Sequence, residues 1–223
     1  MNPSRLIIVL GALLLLATGC GLWLPEKKMI DVPFSTQAPL GDWSEPWLNA
    51  CEETSIFMVS SFYTDDEIKR DEAVKKIQEI LRVKNQNFKV SADESLQTIS
   101  DLIDKLDLPW HATIVYDPSV ETLKAELAKD RPIIVPVFAP ALSGSGYQGD
   151  GPDYHVLVLT GYDDTKGEFT VNDPGTQNGD GLHFAYDVFM KAIHDLNPQD
   201  YDAGKKAVLF TEQDSWDDWF KKL

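Results

Sequence analysis

The sequence predicts an α+β domain, in which a helical N-terminal half carries a buried helix starting at Cys51 and packs on a C-terminal antiparallel sheet. Three observations predict it. Apolar residues recur at helical spacing through the first half, continuous β-type runs fill the second, and the helices precede the main sheet instead of alternating with its strands. The chain has 223 residues with 43% apolar and 25% charged side chains, enough for one domain with a hydrophobic core.

The elements follow in order. Met29 to Phe34 suits a short strand, and Ser35 to Leu48 reads as a loop rich in Pro, Gly and Trp. Asn49 offers an N-cap, with Glu52 three residues on. The helix that follows carries Ile56, Phe57, Met58, Val59 and Phe62, a near-continuous apolar run that implies burial on most sides. A second helix is expected from Thr64, with Ala73, Val74, Ile77, Ile80 and Leu81 on one stripe. A third is announced by Ser91 and Glu94, with Leu96, Ile99, Ile103 and Leu106 as its apolar face. Ala112 to Tyr116 reads as a strand, and Asp117-Pro118 opens a short helix buried through Val120, Leu123 and Leu127.

In the second half Ile133 to Phe138 is a β-type run. Its Pro136 removes one ladder donor and suggests an edge or a bulge. Ala139 to Tyr154 is a long Gly-, Ser- and Pro-containing loop, a length that points to function or disorder. His155 to Tyr162 is a strong strand, turned through Asp163 to Gly167 into Glu168 to Asn172, and Asp173-Pro174-Gly175 ends the hairpin. A helix near Ala185 to Leu196 and a strand at Lys206 to Thr211 complete the pattern.

The N-terminus differs from the rest. Arg5 precedes an uncharged stretch from Leu6 to Leu24, and Leu16-Ala17-Thr18-Gly19-Cys20 resembles a bacterial lipobox, with Cys20 as the lipidated residue. Two acyl chains would hold the protein firmly at a bilayer, at roughly 0.8 kcal/mol per buried CH₂. An uncleaved transmembrane anchor is the competing reading, since the uncharged stretch is about long enough to span. Residues 1–24 are therefore expected to be a lipoprotein signal or membrane anchor, 25–30 a linker and 31–223 the domain. Either way the domain faces the extracytoplasmic side.

Charge narrows the function. The chain carries 20 Lys and Arg against 36 Asp and Glu, a net charge of −16, which argues against nucleic-acid partners. The two cysteines, Cys20 and Cys51, exclude a disulfide framework if lipid takes the first. A lone extracytoplasmic cysteine is then buried or used. No His-Glu-x-x-His motif is present, and Asn172, Asp173, Asn178 and Asp180 fit no EF-hand register, so no metal or other cofactor is expected. Trp216, Trp219 and Phe220 form an apolar stripe at helical spacing near the C-terminus, suited to packing on the body.

Four residues suggest chemistry together, although each singly has an ordinary structural explanation. Cys51 stands in a helix first turn, where unpaired N–H groups favour a thiolate, while Glu52 and Glu53 oppose one unless they pair. His155 begins a strand after the long loop. Asp173, at the far end of the hairpin, is expected to face it and to orient the ring through Nδ1. Gln37, upstream, could donate to an oxyanion. The order Gln, Cys-helix, His-strand, Asp is that of papain-like thiol hydrolases.

Here the sequence resembles the C39-like peptidases. The resemblance rests on Asp31-Val32-Pro33-Phe34-Ser35-Thr36-Gln37, Ala50-Cys51-Glu52-Glu53, Tyr154-His155-Val156-Leu157-Val158-Leu159-Thr160-Gly161-Tyr162 and Asn172-Asp173-Pro174-Gly175, and covers roughly 29–210. It implies a papain-like fold and cleavage of peptide bonds through a thioester. Cys51 is then the nucleophile, His155 the base, Asp173 the orienting acid and Gln37 the oxyanion donor, with a peptide or protein substrate. Two features depart from the family pattern. The stretch from Gln37 to Cys51 is longer, with Trp43 and Trp47 inside it, and Glu52 replaces the usual glycine after the cysteine. No P-loop is present, so the transporter ATPase fused to some C39 members is absent from this chain. Two alternatives stay open: acyl transfer to an amine by the same site, and a non-enzymatic binding lipoprotein on a papain-like scaffold.

Overall fold

The computed structural model describes residues 23–89, 91–142 and 151–215. The expectations for the lipobox with Cys20, for residues 143–150 of the long loop and for the Trp216–Phe220 stripe lie outside the described residues.

In chain order the elements are β1 (Lys27–Met29), α1 (Cys51–Thr64), α2 (Arg70–Asn87), α3 (Leu96–Lys105), β2 (Trp110–Tyr116) and α4 (Val120–Leu127). Then come β3 (Ile133–Phe138), β4 (Tyr154–Asp163), β5 (Glu168–Asn172), β6 (Leu182–Ala185), α5 (Tyr186–Ala192) and β7 (Ala207–Gln213). The strands form one antiparallel sheet in the order β2-β7-β3-β4-β5-β6, with β1 added beside β4. Every residue of β4 is buried, so its outward face is covered as fully as its inward one. Helix α1 lies on β4, where the Ser55 hydroxyl donates to the Val156 carbonyl at 3.3 Å.

Sequence explains most of these elements. No Gly or Pro falls between Ala50 and Leu108, and three helices occupy that span. Helix α1 is buried at every position from Cys51 to Val59, as its unbroken apolar run requires. It stops where Asp65 adopts a left-handed conformation (φ 56°) and its N–H returns to the carbonyls of Phe62 and Ser61.

Several boundaries differ from the sequence reading. The cap before α1 is Ala50, without a side-chain bond, while the Asn49 amide turns outward to Glu45. Helix α2 begins at Arg70 instead of Thr64, because α1 runs through Thr64 and the left-handed Asp65 ends it before a new helix can start. Helix α3 is capped by Ser95, whose hydroxyl accepts from the Thr98 N–H, and not by Ser91. Likewise Ser119, one residue after Pro118, caps α4.

Pro136 does not mark an edge. Strand β3 is interior, between β7 and β4, but β7 pairs only with Ile133 and Ile134. The Pro136 carbonyl faces away from β4 and accepts from the His194 N–H, so the missing donor falls on the same side, beyond the end of β7. Residues 25–30, read as a linker, contain β1. It pairs with β4 from Gly161 to Asp163, continuing the edge that β3 leaves at Leu159. A Cβ at Gly161 would stand 2.6 Å from the Lys28 carbonyl oxygen, so only glycine admits β1 at this spacing.

The core also encloses an ion pair. Lys84 of α2 is 3% exposed, and its ammonium meets the fully shielded Glu53 carboxylate of α1 at 2.6 Å. Replacing Lys84 by Met leaves Glu53 buried without its cation. We expect a loss of about 3–5 kcal/mol in unfolding free energy, measured by chemical denaturation.

Candidate active site

The site forms where three separate stretches meet at the first turn of α1. The segment before α1 lies along the hairpin end: the Gln37 N–H donates to the Pro174 carbonyl at 2.9 Å, and the Asn172 side-chain amide donates to the Val32 carbonyl at 2.8 Å. The segment before α3 is held by Tyr154 of β4, whose hydroxyl donates to the Glu94 carbonyl at 2.9 Å. Between them opens a cleft of about 300 Å³, lined among others by Gln37, Cys51, Asp93, Tyr154, His155 and Gly175. A larger depression of about 760 Å³ beside the start of α2 is lined entirely by charged side chains and holds no nucleophile.

Cys51 is 5% exposed and lines the cleft. Burial pushes its thiol well above the usual range, and the Glu52 carboxylate adds to this, while the Val156 backbone N–H pulls the other way. Cys51 at rest is therefore a thiol, and its ionisation needs a base. The thiol donates to Glu52 Oε2 at 3.1 Å.

His155 and Asp173 come together as the hairpin predicted, with ring and carboxylate 2.7 Å apart and both fully enclosed. The nitrogen involved is Nε2, not the expected Nδ1. Which nitrogen faces the carboxylate is set by the rotation of the imidazole about its own side-chain bonds. Asp173 also closes its own turn, since Oδ1 accepts from the Gly175 N–H at 2.8 Å. The turn and the ring-orienting contact are one structure.

Gln37 lies in the cleft wall, but both of its amide hydrogens are engaged. Nε2 donates to the carbonyls of Trp47 at 2.9 Å and Leu48 at 2.8 Å. The opposite amide orientation would set its oxygen against two carbonyl oxygens, so this assignment is firm. The long stretch between Gln37 and Cys51 thus folds back as a 3-10 turn, Trp47–Asn49, with Trp47 buried, and Gln37 pins it.

Sequence reasoning missed Asp93, Tyr154 and Gly175. Asp93 gave no signal, because its place on the cleft depends on how α3 packs. Gly175 could have been found from the Asp-Pro-Gly motif: a Cβ there would lie 2.8 Å from His155 Cε1. The weighed calcium ligands Asn172 and Asp173 are bonded to protein groups, and among the described residues no cluster of His, Cys, Asp or Glu could hold a metal.

A family model, the Peptidase_C39 like family, matches residues 29–206. No curated protein matches the chain. Among solved structures, one described as a C39-like peptidase from Bacillus anthracis aligns with a TM-score of 0.53 at 16% identity, covering 84% of this chain and 99% of that one. At that identity the likeness concerns the fold, which is papain-like.

The narrow space at Gly175 gives a direct test of the site. Gly175→Ala should push the His155 ring off Asp173 while the fold persists. In proton NMR the hydrogen-bonded His155 Nε2–H resonance should shift or vanish, with the melting temperature changed by no more than a few degrees. The match over most of its length settles the assignment: the chain belongs to the Peptidase_C39 like family.

Proposed function

We propose that the protein is a cysteine peptidase that cleaves peptide bonds with Cys51 as nucleophile, His155 as base and Asp173 as its partner. The observation that carries this reading is the 2.7 Å contact between His155 Nε2 and Asp173, set on the same cleft as a cysteine in a helix first turn.

Chemistry follows from that contact. With the Nε2–H donated to the Asp173 carboxylate, the neutral ring carries its lone pair on Nδ1. Nδ1 takes the Cys51 proton, and Asp173 stabilises the imidazolium that results. The thiolate attacks the substrate carbonyl carbon, and negative charge moves to the carbonyl oxygen. First-turn N–H groups of α1, which have no partner within the helix, are suited to stabilise that oxyanion. Gln37 joins them as the proposed oxyanion donor by releasing one of its two carbonyls. As the tetrahedral intermediate collapses, the imidazolium gives its proton to the departing amine and a thioester remains. Water, deprotonated by His155, then attacks the thioester; the acid leaves and Cys51 regains its proton.

We further propose that the mature chain is exported and held at the membrane by lipid on Cys20. The uncharged stretch after Arg5 and the Leu16-to-Cys20 sequence support this. Among the described residues no helix is long and apolar enough to cross a membrane.

Two measurements check these readings. In a peptide-library digest, Cys51→Ala should abolish cleavage with the fold intact. Asp173→Asn should retain part of it, because Asn still accepts from Nε2–H but stabilises imidazolium less. Products that gain water identify hydrolysis, whereas peptides joined to an added amine identify acyl transfer. Mass spectrometry of the mature N-terminus should find a lipid-modified Cys20. A chain still beginning at Met1, with Cys20 unmodified, would identify an uncleaved anchor instead.

A further inference from the structure

The least expected feature of the site lies behind the nucleophile. Glu52 is fully shielded from water, yet it does not point away from Cys51. Its Oε1 accepts from the Glu94 backbone N–H at 2.9 Å, which fixes the carboxyl plane, and its Oε2 stands 3.1 Å from the Cys51 sulfur.

We propose that Glu52 is a second catalytic acid of the site: as a neutral carboxyl it donates the hydrogen on Oε2 to the Cys51 sulfur once His155 has taken the thiol proton. The inference rests on the reading of Cys51 as nucleophile. One contact serves both states, with Glu52 neutral in each. While Cys51 is a thiol, its S–H donates to Oε2; once His155 has taken that proton, the hydrogen already on Oε2 turns to the thiolate. No proton is gained or lost at Glu52, because the thiol proton resides on His155.

The surroundings favour the neutral form. On its own helix Glu52 adjoins Cys51 and Glu53. From α2 comes Lys84, whose ion pairs are with Glu53 at 2.6 Å and Glu94 at 3.8 Å. From the stretch before α3 come Asp93 and Glu94, and β4 contributes the Tyr154 hydroxyl and the His155 ring. One ammonium thus faces several carboxyls and is already engaged by two of them. Burial, and then the charge of Glu53, push the Glu52 carboxyl up to about 8, with Lys84 pulling it back. At neutral pH it is mostly protonated, which suits a donor. An ionised Glu52 would instead repel the thiolate at close range.

Alkylation of Cys51 by iodoacetamide tests this without any peptide substrate, because only the thiolate reacts. The full chain is titrated, and modification is read on the Cys51 peptide by mass spectrometry. Glu52→Gln keeps an oxygen for the Glu94 N–H and supplies a permanent N–H donor to sulfur. Below about pH 7, where wild-type Glu52 is itself mostly a neutral donor, this variant should be alkylated within about three-fold of the wild-type rate, and above about pH 8, where Glu52 ionises, it should be the faster of the two. Glu52→Met, which removes the donor, should be roughly ten-fold slower below about pH 7. Glu52→Gln already about ten-fold faster at about pH 6, or Glu52→Met as fast as wild type there, overturns the proposal. Should Glu52→Gln fail to fold, infrared spectra of the wild type and Cys51→Ala decide. The carboxylic acid C=O band at neutral pH should move when the sulfur is removed, and a band that does not respond to Cys51 overturns the proposal. Loss of peptide cleavage activity is a separate matter: if no peptide is cleaved, the peptidase reading fails while the alkylation result still stands.

Discussion

The first turn of α1 carries Cys51, Glu52 and Glu53 into the interior, and both carboxyls are shut off from water. Burying an unpaired charge is more costly than any single contact could offset, so the neighbouring elements must answer it. Lys84 of α2 meets Glu53, and the Glu94 backbone meets Glu52. Tyr154 of β4 in turn holds the Glu94 carbonyl. Helix α2, the start of α3 and the start of β4 are thereby fixed relative to the nucleophile. Hydrophobic packing alone tolerates small slides, whereas these bonds lose most of their value when donor and acceptor move apart.

Strand β4 is the frame on which that arrangement rests. It is bonded to β3 and then β1 on one edge and to β5 on the other, so neither Tyr154 nor His155 depends on a free strand end. The same strand supplies the base, the hydroxyl that holds the Glu94 segment and the Val156 N–H that opposes the rise in the Cys51 thiol. The turn after β5 supplies the carboxylate. Glycine at 175 lets this turn close against the ring, as glycine at 161 lets β1 close against the strand.

How much of this the sequence discloses depends on distance along the chain. The β4–β5 hairpin and its Asp173 partner were legible, because the two runs are joined by a short turn and the pairing can be counted from it. The start of α1 at Cys51 was legible too, since an unbroken apolar run follows. The ring nitrogen facing Asp173 was not, because it depends on the rotation of the imidazole ring, which no sequence pattern encodes. The fates of Glu52 and Glu53 were not either: Lys84 and Glu94 come from elements whose packing no local pattern encodes. Strand β6 is four residues long with only Phe184 buried, too short for alternation to stand out. The true caps Ser95 and Ser119 lay close to other plausible caps, and tertiary contacts chose between them.

The replacement of glycine by Glu52 after the cysteine is best understood through the same buried turn. A glycine would leave the Glu94 N–H without the carboxyl oxygen that now accepts from it. With one lysine to share, the turn gives its two carboxyls unlike partners. Glu53 takes the cation, while Glu52 takes a backbone N–H and is pushed by burial toward the neutral acid. Two adjacent residues of one type thus differ chemically because their helical positions point them at different neighbours. The one held neutral is the one that touches sulfur.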